Sequence, residues 1–383
     1  MTRWPSLPWA QSFPPSRDPL GTGNELFAGL MSGTSLDGVD GVIVHFEGDR
    51  GRVIATAHTD YPTSLRQELI ALSRPGENEL ERAALAAQEI SRLYADTLRR
   101  LLDGRPAGVV RAVGCHGQTV RHRPQSRFSI QLLQPALIAE LTGMAVVADF
   151  RSRDLAAGGQ GAPLTPAFHQ AQFGLKGRTR AVVNLGGIAN LTVLGHDGRV
   201  LGFDTGPGNV LLDAWCQRHT GQRFDAGGAW AASGTPTPAL LRSLLEDPYF
   251  GAPPPKSTGR EHFNEAWLEA HLRGDERPED VQATLLQLTV ESVGMAIEAA
   301  CPDAAEVYLC GGGARNAALV EALRARLRPR PVALTDTLGI GVEWVEAAAF
   351  AWLARRTTLG LAGNMPAVTG AAGPRVLGAI YPA

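Results

Sequence analysis

The sequence is poor in cysteine and has no apolar run long enough to cross a bilayer. Its four cysteines, which form no C-x-x-C pair, indicate reduced thiols rather than a zinc site or a disulfide framework (Cys115, Cys216, Cys301 and Cys310). The formal net charge of −2 over 383 residues gives no electrostatic reason to expect nucleic acid or a membrane surface as a partner. We therefore expect a cytoplasmic location and a small-molecule ligand.

The chain is too long for one ordinary hydrophobic core, so two domains are expected. Residues 1–23 are rich in proline, lack a continuous apolar segment and are predicted to be a flexible leader rather than a signal peptide. The predicted lobes are 24–150 and 151–370, both mixed α/β. The tail, 371–383, is expected to pack back on the first lobe.

Hydrophobic patterning predicts a strand hairpin around Gly33, a third strand over 52–58, a helical region over 65–102 and then alternating strands and helices. Residues 151–164 are predicted to form a loop. A second hairpin, at Gly186-Gly187, lies roughly 150 residues after the first, about one domain length. We interpret this spacing as a weak internal repeat of two related α/β halves.

Three glycine-rich turns follow predicted strands: S-G-T-S-L-D-G (32–38), D-T-G-P-G-N (204–209) and C-G-G-G-A-R-N (310–316). Backbone N–H groups in such turns can bind anions, and glycine lets phosphate oxygens approach closely. None of the turns is a Walker P-loop or a G-x-G-x-x-G fingerprint. Taken singly, the first could be a wide hairpin and the last a tight strand–helix junction. Together they indicate a nucleotide held between two lobes.

The residues of these and neighbouring motifs closely resemble the motifs of the anhydro-N-acetylmuramic acid kinases, from about Phe27 to the C-terminus. The motifs are G-L-M-S-G-T-S-L-D-G-V-D, H-G-Q-T-V-R-H, A-D-F-R-S-R-D-L-A-A-G-G-Q-G-A-P-L, N-L-G-G-I-A-N, G-F-D-T-G-P-G-N, G-A-W-A-A-S-G, P-K-S-T-G-R-E-H-F-N and C-G-G-G-A-R-N. The resemblance implies a two-lobed, actin-like (ribonuclease H-like) ATPase fold of the sugar-kinase and heat-shock-70 superfamily, with the active site in the cleft. It also implies that ATP phosphorylates O6 of the amino sugar while water opens the 1,6-anhydro bond, within murein recycling.

The resemblance assigns Asp204 as the catalytic base, although the residue pattern alone equally allows a helix N-cap or turn former. Glu346, an acid in an otherwise apolar helix, is predicted to have a partner or to face the cleft, where it would orient the water. Asp37 would hold Mg²⁺ through water. The residues expected around ATP are Gly33, Thr34, Ser35, Leu36, Asp37, Gly38, Val39, Asp40, Gly187, Gly206, Gly208, Asn209, Gly311, Gly312, Gly313 and Asn316.

For the lactyl carboxylate of the sugar, an arginine is the natural partner. Arg153 is the first choice and Arg151 the second, against the alternative of an exposed arginine paired with a nearby aspartate. His116, Gln118 and Thr119, at a strand end, are expected to contact sugar hydroxyls or the acetamido group, although a buried histidine is more often structural.

Two other functions fit the same motifs. One is a different sugar or acyl-phosphate kinase of the superfamily, and the other is a nucleotide-switched binding protein. The absence of an added peptide-binding segment and the presence of polar sugar-site motifs argue against the second. A homodimer is expected from the resemblance only.

Overall fold

The computed structural model describes residues 25–33, 35–106 and 108–383. The predicted leader, 1–23, lies outside the described residues. The first part of the chain consists, in order, of β1 (Glu25–Met31), β2 (Gly38–Glu47), β3 (Arg50–Asp60), α1 (Thr63–Leu72), α2 (Glu79–Leu102), β4 (Val110–Cys115), β5 (Gln118–Arg123), β6 (Phe128–Leu132), α3 (Pro135–Thr142), β7 (Val146–Ala148) and α4 (Ser152–Ala156).

The second part starts with a helix that leads into another hairpin. Its elements are α5 (Thr165–Phe173), β8 (Arg180–Leu185), β9 (Ile188–Leu194), β10 (Val200–Pro207), α6 (Val210–Thr220), α7 (Ala229–Ser233), α8 (Pro238–Leu245), α9 (Pro248–Gly251), α10 (Glu265–Glu269), α11 (Pro278–Ala300), β11 (Glu306–Cys310), α12 (Ala317–Arg326), β12 (Val332–Leu334), α13 (Val345–Thr358), α14 (Pro366–Thr369) and β13 (Ala379–Tyr381).

Two sheets share one topology. The strand orders are β13-β7-β4-β1-β2-β3 and β10-β9-β8-β11-β12. In each sheet the first three strands form an antiparallel meander, and two later strands join the other side of the first strand in parallel. This duplication confirms the predicted repeat and the two-lobed, ribonuclease H-like fold class. In the tail, β13 pairs with β7 of the first sheet.

Local predictions are confirmed for both hairpins, but two need correction. The helical region 65–102 is two helices, because Pro75 and Gly76 interrupt the pattern between α1 and α2. The predicted loop 151–164 begins with the short helix α4. Among the described helices, none combines the length and the apolar character needed to traverse a bilayer.

Helix α13 brings the two sheets together. Its buried alanines and aromatics belong to a core that includes residues of β1, β4, β8 and β11 together with α5. The helix backbone lies directly on the first sheet: a Cβ on Gly29 would be 1.9 Å from the carbonyl oxygen of Ala347, and one on Gly114 would be 2.1 Å from that of Phe350. This close approach places Glu346, in the first turn of α13, between the sheets. The lobe boundary at residue 150 remains a prediction.

Candidate active site

The glycine turns of the second half pack against one another. The N–H groups of Asn209 and Val210, at the start of α6, donate to the carbonyl oxygens of Gly186 (2.9 Å) and Gly187 (3.0 Å). Gly208 N–H also donates to Gly187 O, at 2.9 Å. These N–H groups therefore hold two turns together, which is a structural role beside the predicted phosphate contact.

The glycine turn after β11 packs closely on the end of β8. A Cβ on Gly311 would be 2.2 Å from Asn184 Oδ1, and one on Gly313 would be 2.7 Å from Leu185 Cβ, so both positions require glycine. Gly312, between them, has open space above its Cα. Asn316 caps α12, because its Oδ1 accepts from Leu319 N–H at 3.0 Å. A Cβ on Gly206 would meet Phe250 at 2.7 Å, which explains the glycine there.

The opening turn lies against the start of β5. Gln118 Nε2 donates to Gly33 O (3.1 Å), and Ser35 Oγ donates to Asp37 Oδ1 (2.7 Å). Leu36 has a φ of 56°, a left-handed conformation that a leucine rarely adopts and that marks strained, often functional backbone.

The other members of the predicted opening loop differ in their surroundings. Thr34 lies outside the described residues. The Val39 side chain is fully buried in the core of the first lobe. Gly38 permits the contact between β2 and β3, since a Cβ there would be 2.3 Å from Thr59 O.

Asp204 lies in β10 just before a register shift in its pairing with β9. Thr258 N–H donates to its Oδ2 at 3.1 Å, and Tyr249 Oη donates to its backbone oxygen at 2.8 Å. Burial raises the pKa of Asp204 to about 6, although the Thr258 N–H partly opposes that effect. A carboxylate with this pKa is suited to accept a proton near neutral pH.

A second group of carboxylates lies near the opening turn. Burial, followed by the negative charge of Asp40, raises the pKa of Glu346 to about 7, while Arg151 acts in the other direction. Burial also raises the pKa of Asp40, whose Oδ1 is 2.7 Å from His58 Nδ1. Asp37 contributes to the field at both acids. A cation bound here would relieve this mutual repulsion.

The two predicted arginines have different surroundings. Arg151 Nη2 donates to His116 Nε2 at 2.8 Å, and His116 Nδ1 faces Ser32 O at 3.2 Å. Burial lowers the pKa of Arg151 to about 10 and that of His116 to about 3, so the histidine is neutral and links Arg151 to the opening turn. Arg153 is exposed and lines a surface cavity of about 790 Å³ with Asp149 and residues of the C-terminal tail.

Thr119, in the β5–β6 ribbon, accepts a hydrogen bond from Gln131 Nε2 at 3.1 Å. The structure thus brings His116, Gln118 and Arg151 to the opening turn, but it does not bring Arg153 there.

Sequence reasoning missed a charged group that involves both halves. Burial raises the pKa of Asp213, in α6, to about 7, with opposing contributions from Arg260 and from Arg66 of α1 and a reinforcing one from Asp37. Within the described part of the chain, Arg66 Nε is buried without a hydrogen-bond partner. Arg260 belongs to the P-K-S-T-G-R-E-H-F-N motif, which was the available signal. Arg66 and Asp213 lie in ordinary helices, where no motif distinguishes them.

Duplicated sheets, glycine turns at their strand ends and buried acids beside those turns define a two-lobed, actin-like ATPase fold. Residues 25–383 match the family model for anhydro-N-acetylmuramic acid kinase, and the chain belongs to this family.

The chain is 55% identical over 361 residues to the anhydro-N-acetylmuramic acid kinase of Nitrosomonas europaea, which covers 93% of this chain and 99% of that protein. It is also 55% identical over 372 residues to the Bordetella petrii protein of the same name, covering 95% and 98%.

More distant likenesses among solved structures include the activator of 2-hydroxyisocaproyl-CoA dehydratase from Clostridium difficile with bound ADPNP. That match has 14% identity and a TM-score of 0.43, and it covers 87% of this chain and 97% of the other. A glucokinase of the ROK family from Streptomyces griseus, in complex with glucose and AMPPNP, matches with 15% identity and a TM-score of 0.40, covering 85% and 99%.

Proposed function

We propose that this protein is an ATP-dependent kinase that opens 1,6-anhydro-N-acetylmuramic acid with water and phosphorylates its O6. The products are N-acetylmuramic acid 6-phosphate and ADP, a step of murein recycling and amino-sugar catabolism. The observation that carries the proposal is Asp204, a carboxylate beside the glycine turns whose pKa is raised to about 6 by partial burial, in a chain that matches the family from residue 25 to residue 383.

In this reaction Asp204 takes a proton from the water that attacks the anomeric carbon. The C1–O6 bond breaks, and the freed O6 attacks the γ-phosphorus of ATP, so the electron pair of the old bond becomes the nucleophile of the phosphoryl transfer. The raised pKa of Asp204 supports this role, because a base works best when its pKa is near the working pH. Glu346, half-buried in the first turn of α13 between the sheets, would orient the water or the O6 side of the sugar.

The glycine turns on the two lobes are suited to bind a nucleotide. Gly312 has open space above its Cα, which leaves room for the adenosine beside the turn that precedes α12. On the other lobe, Gly33 and Ser35 of the opening turn supply a small residue and a hydroxyl. We propose that ATP lies between these turns, with its phosphates toward the opening turn and its adenosine toward residues 311–316.

The acids near the opening turn fit Mg²⁺. The described residues contain no group of three or more His, Cys, Asp or Glu side chains arranged to hold a metal directly. Mg²⁺ commonly keeps several waters and uses one or two carboxylates together with substrate phosphates, which matches Asp37. When bound, the ion would spread the charge that develops on the transferring phosphate.

Arg151 is the better of the two arginines for the sugar side. It lies with His116 and Gln118 at the opening turn, whereas Arg153 is exposed at a separate cavity. We propose that Arg151 supports the site near the lactyl carboxylate and that Arg66 and Arg260 add positive charge from either lobe. The cytoplasmic location and the homodimer remain predictions.

The test is an ATP-dependent assay with anhydro-N-acetylmuramic acid in ¹⁸O-labelled water. A hydrolytic kinase must place the label on the anomeric oxygen and none on the phosphate. Glucosamine and acetate serve as competing acceptors. Preferential phosphorylation of either one, or ATP hydrolysis that does not depend on sugar, would reject the proposal.

A further inference from the structure

The segment that holds the Asp204 carboxylate is itself fixed by a histidine–aspartate pair. His262 Nε2 lies 2.9 Å from Asp247 Oδ2, and His262 Nδ1 lies 3.4 Å from Thr258 Oγ1. Since a carboxylate can only accept, Nε2 donates to Asp247, which leaves Nδ1 of the imidazole to accept from the Thr258 hydroxyl. The backbone N–H of the same Thr258 donates to Asp204 Oδ2 at 3.1 Å.

The neighbouring contacts make this arrangement rigid. Trp267 Nε1 donates to the same Asp247 Oδ2 at 2.9 Å, and Asp247 Oδ1 accepts from Tyr249 N–H at 2.9 Å. The His262 ring stacks on Phe263, with a centroid distance of 4.2 Å and an interplanar angle of 12°. The imidazole is therefore held on two sides by hydrogen bonds and on one face by an aromatic ring.

The chain also attaches to Asp204 through its backbone. Asp204 N–H donates to Lys256 O at 3.2 Å, and Lys256 Nζ donates to the carbonyl oxygens of Tyr249 and Phe250. Residues 256–258 thus lie alongside the end of β10 and contact Asp204 at both its backbone and its carboxylate. Whatever displaces Thr258 must also displace the donor that orients the base.

We propose that His262 and Asp247 are positioning residues, which hold the Thr258 N–H on the Asp204 carboxylate and so keep the base aimed at the attacking water. This inference deepens the proposed kinase function and rests on it for the identity of the substrate. Neither residue touches the reacting atoms. Their effect is expected on turnover, with little effect on binding of ATP.

Two variants test the pair from different sides. His262→Gln keeps a donor that can reach Asp247, but its remaining acceptor, Oε1, no longer occupies the Nδ1 position that faces Thr258. Thr258→Val removes the hydroxyl and leaves both the aromatic packing and the backbone N–H in place. We expect His262→Gln to lower kcat by roughly 10- to 100-fold and Thr258→Val by roughly 3- to 10-fold, because small misplacement of a catalytic group is costly. KM for ATP should stay within threefold.

The matched control is His271→Gln. His271 is half-buried and bonds through Nδ1 to a backbone carbonyl, Trp267 O, at 2.8 Å. It makes the same kind of contact in the same region without reaching Thr258. This variant should keep kcat within twofold of the wild type.

A substrate-free readout separates this inference from the function itself. The Asp204 carboxylate is assigned by ¹³C NMR through the signal that Asp204→Asn removes, and it is titrated in wild type, His262→Gln and His271→Gln. The charges that face it are those of Glu261 and, on deprotonation, Tyr249. Loss of the Thr258 donor should move the midpoint upward by roughly 0.5 pH units or more in His262→Gln only.

If that midpoint is unchanged, or if kcat of both His262→Gln and Thr258→Val stays within twofold, the positioning role is wrong. A loss that appears only in KM would also overturn it. If wild-type protein does not turn over the anhydro sugar, the proposed function fails, yet the NMR titration still decides the role of His262.

Discussion

Replacing Asp204 by Asn tests the base and the electrostatics of its site together. Asn keeps an oxygen that can accept from Thr258 N–H, and the backbone bonds to Lys256 and Tyr249 do not depend on the side chain. The variant should therefore fold normally. It cannot take a proton from water, and loss of a general base typically lowers the rate about 10²- to 10⁴-fold.

The same substitution should stabilise the fold. Burial raises the pKa of Asp204 from 3.8 to about 6, so the folded state holds its proton more tightly than the unfolded state does. Because the folded protein holds this proton more tightly, its stability falls as the pH rises from about 4 to about 6, and it stays lower at pH 7. Two pH units correspond to roughly 3 kcal/mol, which Asn would largely restore.

The assay combines steady-state kinetics with urea unfolding at pH 5 and pH 8. We expect kcat to fall at least 100-fold, KM for ATP to stay within a few-fold, and the free energy of unfolding at pH 8 to rise relative to wild type. Asp275→Asn, at an exposed position in the loop before α11, serves as the control and should change neither quantity. Retention of more than a tenth of wild-type kcat would refute the reasoning about the base. Equal stability of wild type and Asp204→Asn at pH 8 would refute the reasoning about burial.

Three further substitutions test other parts of the structure. Glu346→Gln should lower kcat roughly 10- to 100-fold. It should also reduce, by the contribution of this one acid, the loss of stability that the wild type shows between pH 4.5 and about 7, since the folded-state pKa of Glu346 is raised to about 7; kinetics and urea unfolding at pH 5 and 8 measure both. Asp154→Ala should lower the free energy of unfolding, measured in urea, by roughly 3–5 kcal/mol, because three donors to this fully buried carboxylate lose their acceptor. An unchanged urea midpoint would contradict the role of Asp154 as their shared acceptor. Burial lowers the pKa of His169 to about 3, so the unfolded state binds the proton of this histidine first as the pH falls below 6.5, and the fold loses stability. His169→Gln should make stability between pH 6.5 and 4.5 less dependent on pH. An unchanged slope of the urea midpoint against pH would show that His169 does not contribute to this dependence.

The parts of the fold that sequence predicted are those with strong local signals. Both hairpins, the helices α11 and α13 and the strand–glycine–helix junction at β11 follow from apolar runs bounded by glycine. Helix α4 was missed because its stability comes from a distant part of the chain. Asp154, in that helix, accepts hydrogen bonds from Asn364 at 2.7 Å and Thr369 at 2.8 Å, which no local pattern reveals.

The site shows the same division between local and distant signals. The sequence pattern marks Glu346 as an unusual acid and the family resemblance assigns Asp204, but Arg153 is ranked above Arg151. One residue separates these arginines, and only the fold shows that Arg151 contacts His116 while Arg153 is exposed. Arg66 could not be found at all, because its relation to Asp213 depends on how the two halves meet.

The duplicated topology explains why the site forms where it does. In each sheet the first strand and the fourth are parallel neighbours, β1 with β4 and β8 with β11, so their carboxyl ends lie side by side. The end of the first strand therefore meets the turn after the fourth: Ser32 Oγ donates to Gly117 O in one half, and Gly311 packs on Asn184 in the other.

The two halves use this shared meeting point differently. In the first half, polar side chains of His116 and Gln118 fill it, whereas in the second half glycines bring backbone against backbone. A side chain at Gly311 would have to displace Asn184, and with it the neighbouring turn that Asn209 and Val210 hold. One strand order thus produces a meeting point filled by polar side chains in the first half and a meeting point of bare backbone in the second. In the proposed kinase, an ATP molecule between the two turns would face a different kind of surface on each lobe.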